Sequence, residues 1–220
     1  MAFSARSELP KDAVILSESE AIGYAWQVVS EWKNLSETWA LRYSAGILGG
    51  MSAICGIIIN QHYRTRLRLG RFGHISSILP IVVLPGSLTM VFHKYTVSTT
   101  MILNKSEVCP ICYELKSAAV QLGFGVVYPM ILGPLSAFMF ANRYSTYRLP
   151  SIATEPKELF KFGVKISKPL KGTLGYMTAF HLVLSSLFTY FELQNTAAVN
   201  AKIREIERKI DAGLESELTE

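Results

Sequence analysis

Three groups of side chains in this 220-residue chain could do chemistry. Cys109 and Cys112 stand as C-P-I-C, a spacing at which two thiols can cycle as a redox dithiol, hold a metal, or close a small local disulfide. A zinc site needs four ligands, and there is no second C-x-x-C. Of His62, His74, His93 and His181, only His93 falls on the same side as the pair in the topology derived below. A thioredoxin-like dithiol needs an α/β frame that the sequence does not supply. A local disulfide or free thiols is therefore the favoured reading, with redox and metal chemistry beside it. His181 is the second candidate, near the middle of an uncharged run, where an ionisable residue is functional by default. No acidic residue accompanies it in any predicted span, which favours an imidazole hydrogen-bonded to a neighbouring helix. The third group is Arg64, Arg66, Arg68 and Arg71, spread over more than one helical face. Such a cluster next to a span reads as a topology determinant that also contacts anionic headgroups. There is no Ser–His–acid set, no pair of carboxylates at depth and no phosphate-binding glycine loop, so the expectation is a protein that is not an enzyme, without cofactor or metal.

The elements that must position these groups are apolar. Half of the residues are hydrophobic and 18% are charged. Four uncharged runs, 43–59, 75–92, 117–141 and 173–191, fall within the ~17–25 residues of a membrane span, and at ~1.5 Å per residue the third exceeds a ~30 Å hydrocarbon core and can tilt. The expected fold is an all-α membrane protein, a bundle of about four transmembrane helices. Small residues mark faces where helices can approach closely: Gly46 and Gly50 in the first run, Gly123, Gly125, Gly133 and Ala137 in the third, Gly175 and Ala179 in the fourth. Gly46–Gly50 is read as packing inside the bundle, and the third run as its central packing helix. Pro80 and Pro85 predict a kink in the second run, and Pro129 a bend in the third.

Amphipathic helices flank the bundle. Ser17 or Ser19 caps one that runs to Trp39 and holds all three tryptophans, read as an interfacial belt. The other, from Thr196 onward, repeats Val199, Ile203, Ile206, Ile210 and Leu214 at 3–4 spacing. The domains are thus 1–42, the four-helix unit 43–191, and the charged tail 192–220. The N-terminus has neither the apolar core of a secretory signal nor the arginines of a transit peptide. The net charge of +5 is dispersed among loops, which argues against nucleic acid and leaves the lipid bilayer, including its anionic lipids, as the general partner. Four spans put both termini and the cysteine loop on one side. The two loops opposite carry eleven Lys and Arg against nine on the termini side, so the positive-inside rule places the termini and the cysteines outside.

The stretch 109–150 resembles the transmembrane protein 126 family. The resemblance rests on Cys109 and Cys112, a glycine-rich span with Tyr128–Pro129, then Arg143–Tyr144 and Leu149–Pro150, with Arg64 and Arg66 as a matching basic pair after the first span. The C-x-x-C is closer to the A-type member. The resemblance implies a multi-pass inner mitochondrial membrane protein that helps assemble respiratory complex I, with membrane-arm subunits and other assembly factors as partners. It turns the charge rule into positive-matrix, with both termini and the cysteines in the intermembrane space. The alternatives are a small-solute transporter or channel, supported by the prolines and His181, and a membrane redox protein using Cys109 and Cys112.

Overall fold

The computed structural model describes residues 17–103, 109–150 and 155–218, with side chains through Ile210. The segment 1–16 used to judge targeting signals, Lys105 in the central loop, and the side chain of Leu214 lie outside the described residues. All regular structure among the described residues is helical. Helix α1, Glu18–Glu31, opens on a capping box: Ser17 accepts from the Glu20 amide while the Glu20 carboxylate accepts from the Ser17 amide at 2.8 Å. Four helices long and apolar enough to span a membrane follow. They are α2 (Trp39–Arg66), α3 (His74–Ile102), α4 (Pro110–Arg143), and an amphipathic helix α5 (Pro156–Ser167) that continues through a 3₁₀ turn, Lys168–Leu170, into α6 (Lys171–Leu218). Each helix outruns its apolar run, because polar residues at the ends pack onto neighbouring helices instead of stopping the helix. The predicted boundary between 191 and 192 falls inside α6, and His93, one residue past the predicted second run, lies inside α3.

The centre of the bundle is α2, which packs against α3, α4 and α6. The third span, expected there, packs on α6 through its N-terminal half and on α2 through its C-terminal half. The inward face of α2 is Leu41, Ser44, Leu48, Ser52, Cys55, Ile59 and Tyr63, at helical spacing and buried throughout. Gly46 and Gly50 lie on the opposite side, where a methyl on either would meet nothing within 4 Å, so the pair does not pack inside the chain. The close approaches fall to their neighbours. A methyl on Gly49 would meet the Gly86 carbonyl oxygen at 2.6 Å, and one on Gly56 would run into the Ile81 carbonyl. Gly123 and Gly175 also face open space and Ala179 is exposed, whereas Gly125, Gly133 and Ala137 are buried.

The prolines shape α3 and α4 by widening a turn ahead of them. Five-residue π turns, Leu79–Val83 and Gly123–Val127, precede Pro85 and Pro129. Proline has no N–H for the carbonyl four residues back and its ring collides with it, so the helix adds a residue there. The carbonyl freed by Pro85 belongs to Ile81, the one that Gly56 admits.

Candidate functional site

The polar side chains of the spans gather into layers inside the bundle. At about half the depth of a ~30 Å core, counting roughly 15 Å along the helices from Arg66 and Lys171, His181 of α6 puts Nε2 3.1 Å from Cys55 Sγ of α2. The imidazole is fully buried against α4, where Gly125 leaves it room: a methyl there would meet Cε1 and Nε2 at 2.9 Å. Its Nδ1 has no hydrogen-bond partner among the described residues. One turn further along, Ser52 Oγ lies 3.1 Å from Gln121 Oε1 and 3.1 Å from Thr89 Oγ1, joining α2, α4 and α3.

Beyond these, about 31–33 Å from Arg66 and Lys171 by helical rise, a buried carboxylate closes the series. Glu192 of α6 has no exposed surface. Its Oε1 accepts from Ser44 of α2, from Ser98 of α3 at 3.0 Å, and from His93 Nε2 of α3 at 3.1 Å. His93 Nδ1 lies 3.3 Å from Ser117 Oγ of α4, so one carboxylate and its histidine tie together all four spans. Glu192 Oε2 has no hydrogen-bond partner among the described residues. A charge out of water is tolerable only when paired and hydrogen-bonded, which three donors on one oxygen achieve. Next to it, Asn195 accepts from the Ala40 amide at 2.8 Å and caps the start of α2. No acidic residue lies within the four predicted runs, yet a fully buried one stands at the far edge of the core. Glu192 falls one residue past the predicted span end, where a charge reads as a boundary. The half of the bundle from Cys55 towards Tyr63 is filled by Ile59, Tyr63, Val126, Phe138 and Met177.

The remaining predicted residues are scattered. Cys109 caps α4 and Cys112 lies in its first turn, both exposed, as free thiols with sulfurs 2.9 Å apart. The Cys112 thiol donates to the Cys109 sulfur and the first-turn amides lie near it, which holds the Cys109 thiol below its ordinary range. No cluster of three or more His, Cys, Asp or Glu that could hold a metal occurs among the described residues. The tryptophans are partnered within the chain. Trp26 Nε1 donates to Thr99 at 3.1 Å with Lys94 over its ring at 4.4 Å, Trp32 donates to Glu37, and Trp39 packs on Phe191 at 5.2 Å.

The arginines divide. Arg64 is buried, donating to the carbonyls of Gly70 at 2.7 Å, Phe72 at 2.9 Å and Gly73 at 3.3 Å and to Ser77 Oγ at 3.0 Å. It ties down the turn between α2 and α3, which corrects its assignment to the headgroups: the turn's carbonyls have no helical donors and a guanidinium satisfies several at once. Arg66, Arg68 and Arg71 are exposed. Of the family-motif residues, Tyr128 and Pro129 sit near mid-span, and Arg143, Tyr144, Leu149 and Pro150 lie towards the Arg64 end. Tyr128 packs near Phe124, Pro129 is buried, Arg143 is exposed, and Tyr144 stacks on Phe72 at 4.9 Å. Leu149 packs onto the core beside half-buried Pro150.

The sequence profile described as Transmembrane protein 126 matches residues 25–209. The chain is 41% identical over 204 residues to a Drosophila melanogaster protein named Transmembrane protein 126, covering 93% of this chain and 92% of that one. It is 26% identical over 147 residues to mouse Transmembrane protein 126A, covering 66% and 71%. No solved structure matches. The profile extends through the tryptophan-bearing helix and most of the tail as well as the central stretch. The chain belongs to the transmembrane protein 126 family.

Proposed function

We propose that this protein is a non-catalytic assembly factor of the inner mitochondrial membrane that holds partly built membrane-arm modules of respiratory complex I with other assembly factors. The family resemblance supplies the process. The structural observation that supports a holding role is the outward face of α2, where Gly46 and Gly50 stand bare on the central helix. In lipid, helices gain little from hydrophobicity and associate by close backbone packing, which such a face permits. Client helices seat there, and the termini and cysteines face the intermembrane space. Complexes separated on native gels from mitochondria with and without the protein test the reading. It predicts co-migration with complex I intermediates, loss of those intermediates on removal, and failure of Gly46→Leu/Gly50→Leu to restore them. Migration only as a free species, with intermediates unchanged on removal, overturns it.

A transporter or channel is the second reading, favoured by His181 at mid-depth and by the buried His93–Glu192 pair at the far edge of the core. The polar layers that support it reach only to Cys55–His181, and the apolar side chains around Ile59 and Phe138 fill the rest. Full function of a His181→Ala variant removes its main support.

A further inference from the structure

We infer that the groove between the end of α2 and the start of α6 is a binding site for one anionic glycerophospholipid, with its phosphate between Arg66 and Arg68. The groove is shallow and open to its surroundings, with a volume of about 800 Å³. Its lining changes polarity along its length. Ile57 and Ile58, 52% and 43% exposed, form the deep end with Leu170 of the 3₁₀ turn. One turn on come Gln61 and His62, then Thr65, and the two guanidiniums close the rim. Apolar, then amide and hydroxyl, then cationic is the order of a lipid's acyl chain, glycerol esters and phosphate. The scale agrees: Ile57 to Arg66 spans about 13 Å of helix, which puts the rim at headgroup level.

The two cations are unsatisfied. Unlike Arg64, neither Arg66 nor Arg68 has a hydrogen-bond or ion-pair partner among the described residues, and both are exposed. Arg68 is also held with φ at 53°, the left-handed region that non-glycine residues seldom occupy. Leu67 and Leu69 on either side are fully buried and the Leu69 amide donates to the Arg64 carbonyl at 3.0 Å, so the turn fixes this conformation. It places a guanidinium on the groove rim beside Arg66. His62 cannot compete for the anion, because its Nε2–H donates to the Ile166 carbonyl at 3.1 Å and anchors α5. A free phosphate would satisfy the arginines and leave the isoleucine end empty; a neutral lipid would do the reverse.

Full-length protein in neutral detergent, titrated with phosphatidylglycerol, phosphatidylcholine or inorganic phosphate, tests the site by native mass spectrometry and thermal unfolding. The expected result is one retained phosphatidylglycerol, bound at least about tenfold more tightly than phosphatidylcholine, with no stabilisation by phosphate alone. Losing one guanidinium should weaken it about fivefold. Arg66→Gln removes one and Arg68→Gly the other; glycine accepts the left-handed backbone, so the turn survives. Lys168→Gln/Lys171→Gln, on the far side of the 3₁₀ turn, should leave binding unchanged, while Ile58→Trp should expel the lipid without changing charge. Equal affinity for the two lipids, an equal response to phosphate, or full binding by Arg66→Gln and Arg68→Gly overturns the proposal.

Discussion

Three donors converge on one oxygen of Glu192, so its removal is felt mostly by what it leaves behind. Glu192→Ala strands the His93, Ser44 and Ser98 donors in a dry interior and should cost about 3 kcal/mol, against about 1 kcal/mol for Glu192→Gln, which keeps an acceptor; thermal unfolding in detergent measures both. At the surface, the lowered Cys109 thiol should make its alkylation rate reach half-maximum below the pH typical of a thiol, with buried Cys55 unreactive until the bundle opens. A pH profile of alkylation with site mapping checks this, and Cys112→Ala should move the midpoint upward, since it removes the side chain that donates to Cys109. These roles were unevenly legible. C-x-x-C is visible in any alphabet, but nothing in R-T-R-L-R says that Arg64 turns inward while Arg66 and Arg68 turn out. That depends on three carbonyls of a turn whose path the sequence does not spell.

Spans announce themselves through hydropathy, and all four were found because lipid demands an uncharged run. Their ends and their facing were harder. The pair Gly46–Gly50 matches the familiar spacing, yet the buried stripe Ser44, Leu48, Ser52, Cys55, Ile59 sets the phase of α2 and puts Gly49 and Gly56 against α3 instead. Reading the small polar residues as inward markers would have exposed this. The two kinds of glycine should behave oppositely. Gly56→Ala forces a methyl against the Ile81 carbonyl and should cost about 1–3 kcal/mol. Gly50→Ala faces open space, and by lowering the entropy of the unfolded chain should stabilise the isolated protein by about 0.5–1 kcal/mol. Unfolding of the purified variants separates them. If α2 presents that face to client helices, Gly50→Ala should also weaken complex formation while the protein itself gains stability.

Across the whole molecule, the ends that composition treated as appendages are joined. Glu37, between α1 and α2, accepts from Lys202 of α6, from Trp32 Nε1 at 2.9 Å and from Asn34 at 2.9 Å. Lys202, with Trp32 and Asn34, holds the Glu37 carboxyl below its ordinary value of 4.5. A depressed carboxylate contributes stability above its unfolded value, and that contribution disappears as pH falls through the folded one. Acidification from about pH 6 to about pH 3 should therefore loosen the α1–α2 connection from α6 in hydrogen exchange, and Glu37→Gln should be loose throughout. The sequence could not reveal this pairing, because a contact across 165 residues leaves no local periodicity. The unbroken course of α6 has a mechanical consequence. At about 1.5 Å per residue its 48 residues form a rod of about 72 Å, keyed against rotation by Glu192 and Asn195. The azimuth of exposed Ile206 and Ile210 is thus dictated from within the membrane. Two residues inserted after Asn200 would swing that stripe by about 200°, and seven would bring it back within about 20° of its starting direction, one turn pair further out.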